Sequence, residues 1–344
     1  MKKLLMTGAA VAVMAASPAM AEGLKLDVAG VFKGYGVYTD ADASDIREIN
    51  FRKETEVHFT GETTLDSGLT VGVHIEADVD KDDNFATDES YIYLSGGWGR
   101  VNFGEEDGAA YLLQVSAPSA DSNVDGLRQF ISTSVEGRLD YDMAETGDAS
   151  KLTYMTPVFN GFQAGVTYAP SVTDGDDNGV TAATTDNDAS ELDDALEIAA
   201  RYEGEYEGVG VTLGAGYGAY DSEAGDADVD AWNVGMDLDF AGFGFGVVYT
   251  ETEEDLATEA EVETLVIGAD YKMGAYKLGA SYLDQDGEGT FTNTRNNDEL
   301  QRYTAGVSYA YGPGMSFRGS VSVLENDTDD TDETQVILGT QVNF

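Results

Sequence analysis

Residues 334–344 read TQVILGTQVNF, and the way this stretch is read decides the fold. Side chains of an extended strand alternate between two faces, so Val336, Leu338, Thr340, Val342 and Phe344 fall on one side. Gln335, Ile337, Gly339, Gln341 and Asn343 fall on the other. One face is mostly apolar and the other mostly polar. The segment stops on phenylalanine without a polar tail, which is the first pointer to a strand set against lipid.

The same alternation recurs upstream. Candidate strands are 24–38, 50–64, 69–78, 89–95, 99–104, 150–157, 160–169, 194–206, 208–221, 229–240, 243–251, 262–273, 275–284, 300–311, 314–325 and 334–344. There are sixteen, an even number, as a single-chain bacterial barrel needs to bring both termini to one side. The texture is uniform and no Pro/Ser-rich linker interrupts it, so residues 22–344 read as one domain.

The first residues have another character. Lys2 and Lys3 precede an apolar run from Leu4 to Ala16 and an Ala19-Met20-Ala21 end, the pattern of a secretory signal peptide over 1–21. That run is too short to span a bilayer as a helix, and no run of about eighteen apolar residues follows. Without Lys2 and Lys3, 16 basic residues face 65 acidic ones, a formal net charge of −49. This sign is opposite to what nucleic-acid binding requires. No cysteine is present, so neither disulfides nor thiol chemistry contribute.

The connections alternate in length. Tight turns at Asp66-Ser67-Gly68, Gly96-Gly97-Trp98, Val158-Phe159, Glu207, Ala241-Gly242, Gly274 and Gly312-Pro313 are interleaved with longer, acidic loops. The loops 170–193, 252–261 and 326–333 contain no Lys or Arg. Strict alternation sends every long loop to one side, which an outer-membrane barrel with short periplasmic turns does and a soluble sandwich has no reason to do. Trp98, Phe159, Phe162, Tyr206, Phe240, Phe243, Tyr276, Tyr311 and Phe344 gather beside the short turns. Tyr38, Tyr168, Tyr220 and Tyr249 lie towards the long loops, giving the two interfacial girdles of such a barrel.

Residues 66–104, DSGLTVGVHIEAD through DESYIYLSGGWGRVNFGEE, with KLTYMTPVFNGFQAGVTYAP at 151–170 and the terminal Phe344, resemble the general diffusion porins of Gram-negative outer membranes. The resemblance implies an all-β transmembrane antiparallel barrel of sixteen strands, assembled as a homotrimer. It also implies a terminal-Phe signal on Phe344 read by the outer-membrane assembly machinery, and a long third outer loop folded inward to constrict a water-filled channel. The location is then the outer membrane, the surroundings its lipid, and the cargo small hydrophilic solutes and ions. No cofactor is required.

Connection 105–149 is far longer than the others and is the candidate constriction loop, with Glu105, Glu106, Asp107, Asp121 and Asp125 as its acidic side. Strand alternation turns Lys33, Arg52 and Arg100 to the lumen as the basic side, a sparse cluster beside the family's pattern. Glu54, Glu56, His58, His74 and Glu76 face inward too. A turn at 66–68 that pairs Phe59 with Val73 sets His58 against His74 and Glu56 against Glu76, a grouping able to bind a divalent metal. Asp174, Asp176 and Asn178 match the opening of a calcium loop, but Thr185 stands where its glutamate belongs. Weak Ca²⁺ or Mg²⁺ binding there and at other acidic outer loops is the remaining expectation. The glycines in Gly214-Ala215-Gly216-Tyr217-Gly218 open no helix, and close strand packing beside aromatics explains them better than phosphate binding.

The function expected is passive diffusion with a preference for cations. Alternatives are a sugar-specific channel with Tyr35, Tyr91 and Tyr93 as an aromatic track, and an adhesin or structural barrel without conductance. An outer-membrane hydrolase is disfavoured, because no G-x-S-x-G occurs and both histidines lie towards the short turns.

Overall fold

The computed structural model describes residues 23–42, 47–79, 86–115, 141–172, 192–222, 228–255, 260–288, 299–327 and 331–344. The signal-peptide segment, Asp121, Asp125, Asp174, Asp176 and Asn178 lie outside them. The described residues form sixteen strands and one short helix. In chain order they are β1 (Lys25–Ala41), β2 (Ile49–Thr64), β3 (Thr70–Asp78), β4 (Ala86–Gly96), β5 (Gly99–Glu105), α1 (Ala109–Leu112), β6 (Ser150–Met155), β7 (Phe162–Ser171) and β8 (Leu192–Tyr206). They continue with β9 (Val209–Ser222), β10 (Asp228–Phe240), β11 (Phe243–Asp255), β12 (Ala260–Met273), β13 (Tyr276–Glu288), β14 (Leu300–Gly312), β15 (Met315–Asn326) and β16 (Thr331–Asn343). Each strand pairs antiparallel with its sequence neighbours, and β16 pairs with β1 to close the barrel. Closure satisfies the backbone N–H and C=O groups that lipid cannot, and leaves no sheet edge.

All sixteen sequence-predicted strands are present, several of them longer at the long-loop end. β11 runs to Asp255 and β13 to Glu288, through acidic residues that read as loop in the sequence. Ladder hydrogen bonding carries these polar rims on past the apolar alternation. At the opposite end the chain reverses through left-handed backbone at Asn160-Gly161, Glu207-Gly208 and Ala241-Gly242, with φ of 49° and 88°, 50° and 84°, and 50° and 89°. Two successive positive φ values match the right-handed twist of a hairpin. The connection at Glu207 is therefore a two-residue turn, not one residue.

Exposure shows which face meets lipid. Phe51, Leu26, Phe103 and Leu338 are all more than 60% exposed. Among the described residues no helix is long and apolar enough to cross a membrane. Aromatic pairs mark the short-turn border: Phe162–Tyr202, Phe243–Tyr271 and Tyr276–Tyr309 have ring centroids 4.6, 4.4 and 4.7 Å apart. Trp232–Tyr249 and Tyr282–Tyr303 lie nearer the long loops. Tyr220 does not belong to this girdle. It is fully buried on the inner face, where its hydroxyl reaches Glu197 at 3.4 Å.

The seam places the C-terminus. Phe344 donates its N–H to the Gly30 carbonyl at 2.9 Å and accepts the Gly30 N–H at 2.8 Å. A Cβ on Gly30 would lie 2.6 Å from the Phe344 ring, so the missing side chain is the seat for this aromatic.

Candidate functional site

The inner wall of β1–β5 carries charge. Lys33 on β1 forms an ion pair with Glu54 of β2, its register partner. Arg52 lies two pairs further along, opposite Tyr35, and is exposed. The β2–β3 register differs from the sequence expectation. Phe59 pairs with Ile75, His58 with Glu76 and Thr60 with His74, because the turn spans 65–69 and Thr64 faces Thr70. The two histidines are diagonal neighbours instead of direct partners, yet their rings are 5.6 Å apart. His58 Nδ1 is 2.8 Å from a Glu76 carboxylate oxygen, and His74 Nε2 is 3.8 Å from the same atom.

The cluster continues across β4 and β5. Tyr91 and Tyr93 both turn inward, alternating with the outward Ile92 and Leu94. Tyr91 lies tilted against His74 with ring centroids 5.2 Å apart, and the Tyr93 hydroxyl donates to Glu62 at 2.7 Å. The Arg100 guanidinium lies 4.1 Å from the Tyr93 ring centre and donates from Nε to Asn102 at 2.6 Å. Asn102 in turn donates to Glu106. Arg100 therefore neighbours the acidic start of the loop on one side of the lumen, and does not face it across the pore.

Of the acidic residues read into that loop, Glu105 belongs to β5, where it pairs with Ser90 and Ser150. Glu106 and Asp107 begin the inward path. Burial, reinforced by the neighbouring Asp148, pushes the Asp107 carboxyl up to about 8. Burial raises Glu106 as well, against the pull of Arg100. Lys151, buried at the foot of β6, donates to the backbone carbonyls of Glu106 and Gly147.

Both described ends of the loop lie against the inner wall. The Ala109 N–H donates to Thr167 of β7 at 2.8 Å and the Ala110 N–H to Glu197 of β8 at 3.1 Å. Glu197 is fully buried and also accepts from Thr146 at 2.9 Å, so one carboxylate ties the outgoing and returning arms together. Arg201 Nη1 donates to the Gln114 carbonyl at 2.5 Å, and the Gln114 side chain bridges to Tyr141 and Met143. Tyr141 offers its carbonyl to Thr250 at 2.5 Å, and its ring packs among Val248, Val266, Leu283, Leu300 and Leu324. The central part of the loop, including Asp121 and Asp125, lies outside the described residues.

Glycines make room for this path. A Cβ at Gly165 would meet Ala109 at 2.9 Å, one at Gly214 would meet Val115 at 2.7 Å, and one at Gly235 would meet Val115 at 2.8 Å. Gly216 sits under Ala110. The Gly214–Gly216 repeat is thus a bed for the loop, which revises its reading as strand packing beside aromatics. Glu197 and Arg201 are functional residues that sequence reasoning passed over. The signal was present, since both occupy inward positions of β8 beside the lipid-facing Leu196 and Ile198.

The model of the Gram-negative porin family matches residues 8–329. No curated protein matches the chain. Among solved structures, the anion-selective porin from Comamonas acidovorans is 18% identical, covering 94% of this chain and 100% of its own, with a TM-score of 0.67. OmpF of Salmonella typhi, solved with daunomycin, is 19% identical over 93% of this chain and 97% of its own, with a TM-score of 0.67. OmpT of Vibrio cholerae in its trimer form is 12% identical, with 94% and 100% covered and a TM-score of 0.67. At these identities the likeness concerns the fold. With the family model spanning nearly the whole sequence and a closed sixteen-stranded barrel of lipid-facing apolar side chains, the chain belongs to the Gram-negative porins of the bacterial outer membrane.

Proposed function

We propose that the barrel works as a cation-preferring diffusion pore, narrowed by the inward third loop and assembled as a homotrimer. The observation that carries the preference is the composition of the lumen. On β2–β4 the inward positions include Glu54, Glu62 and Glu76, and Glu106 and Asp107 of the loop, whose carboxyls burial raises, add negative charge as pH climbs. Of the bases nearby, Lys33 is paired with Glu54 and Arg100 is held by Asn102 and Tyr93, while Arg52 stands exposed, and the inward carboxylates outnumber them. A lumen of fixed carboxylates raises the local concentration of cations and repels anions. The formal net charge of −47 makes the approach to the pore favourable to the same ions. The anion selectivity named for the Comamonas porin belongs to that protein and sets the contrast to be tested.

Trimer assembly is supported by the trimer form of the Vibrio cholerae relative. Purified protein in a planar bilayer should open in steps grouped in threes, with conductance rising with bulk salt. Absence of any conductance would favour a structural barrel and overturn the proposal.

A second reading draws on the Tyr91–Tyr93 pair with Arg100 against it. Such a surface suits the apolar face of a sugar ring. Concentration-dependent block of ion current by a neutral disaccharide, relieved in Tyr93→Ala, would support it.

A further inference from the structure

We propose that His58, His74 and Glu76 form a transition-metal site in the lumen, suited to Zn²⁺ and able to lower the passage of cations. The three side chains stand on adjacent strands and each offers one ligand atom, all within 4.8 Å of one another. A tetrahedral Zn²⁺ bound at about 2.0–2.1 Å to each donor needs donor separations of roughly 3.3 Å. The separations from Glu76 are 2.8 Å to His58 Nδ1 and 3.8 Å to His74 Nε2, which bracket that value and need only a small side-chain adjustment.

The surroundings prepare the histidines for this role. His74 Nδ1 is 2.9 Å from the Thr60 hydroxyl, so the other ring nitrogen is the one turned to Glu76. A hydrogen bond at the far nitrogen orients imidazole ligands in metal sites. Tyr91, 5.2 Å away, limits rotation of the same ring. Glu56 stands 3.7 Å from His58 Nε2 and supplies a carboxylate on the far side of that ring. All three donor residues remain partly accessible, with side chains between 15% and 26% exposed, so an ion arriving from the lumen can reach them and water can complete the coordination. Two imidazoles with one carboxylate select Zn²⁺, Cu²⁺ or Ni²⁺ over Ca²⁺ and Mg²⁺, which prefer six or more oxygens.

Binding depends on the barrel alone, whereas the effect on current rests on the pore proposed above. The two are therefore read separately. Untagged protein in detergent, held in millimolar Ca²⁺ to occupy acidic surface groups, is titrated with Zn²⁺ by calorimetry. One saturable Zn²⁺ per chain is expected, with affinity at least about tenfold weaker in His58→Asn and His74→Gln and reduced in Thr60→Val. Folding of each variant is checked by its strand circular dichroism. No saturable binding in the natural protein, or equal affinity in all folded variants, overturns the site. In bilayers, Zn²⁺ should reduce potassium current through the natural protein and not through His58→Asn. Binding without any change in current would uphold the site and overturn its action on flow.

Discussion

Where β2–β5 line the lumen, the inward positions hold Arg52, Glu54, Glu56, His58, His74, Glu76, Tyr91 and Arg100. Where β7–β10 line it, the equivalent positions hold Gly165, Thr167, Ala195, Glu197, Gly214, Gly216, Ala231 and Gly235. Both walls follow the same alternation and both turn apolar side chains to lipid. They differ in what occupies the interior beside them. The first projects long charged side chains into the channel, while the second is cut back to small residues under Ala109, Ala110 and Val115 and holds the loop with Glu197 and Arg201. The pore is thus asymmetric by construction, with a charged lining on one stretch of the wall and a loop bed on another.

The most damaging change to that division should be removal of Glu197, which serves both arms of the loop. Glu197→Ala strands the buried Ala110 N–H and the Thr146 hydroxyl, at about 1–3 kcal/mol for each unsatisfied group. The loop should detach, and liposome swelling should admit larger sugars. Gly235→Val should act in the same direction by driving a side chain into Val115. An unchanged size limit in both variants would show that the bed does not hold the loop.

A smaller effect is expected from pH. Asp107 keeps its proton up to about pH 8 in the folded chain and loses it near its ordinary value of 3.8 when unfolded. Between those values the folded state holds more protons, so its contribution to stability falls as pH rises through this window. Cation preference should move the opposite way, increasing from pH 6 to pH 9 as Asp107 ionises. Asp107→Asn should flatten both profiles, and equal profiles for the two proteins would contradict the assignment.

On the charged wall, Arg100→Ala should increase cation preference only modestly, as read by the reversal potential: it removes a positive charge from the lumen, but Glu106 also loses the cation that favours its ionised form. The smallest effect is expected far from the lumen. Ala241 holds a left-handed backbone at φ 50°, which costs a residue with a Cβ roughly 1–2 kcal/mol. Ala241→Gly should stabilise the barrel by less than about 1 kcal/mol in urea titrations, since glycine loses more chain entropy on folding.

Strand number and facing were legible in the sequence because period-two alternation against lipid is a local signal, repeated in every strand. Register was less so. A turn at 66–68 and a turn at 65–69 have almost the same residues, yet they differ by two positions in what His58 faces. The loop bed was harder still. Gly165, Gly214 and Gly235 are distant in sequence and become one surface only when β7, β9 and β10 are aligned, and nothing local tells a glycine under a loop from one beside an aromatic ring. Glu197 was hidden for a related reason, as a carboxylate in an alternating strand reads as one more lumen-facing polar group until its partners on the loop are known.

The most direct test of the account is the reversal potential of the purified natural protein in a planar bilayer under a tenfold potassium chloride gradient. A potential of the sign set by potassium, lying between zero and the limit of about 59 mV for a monovalent ion, is the predicted result. A potential of the chloride sign would contradict the claim that the carboxylates of the charged wall and loop govern what passes.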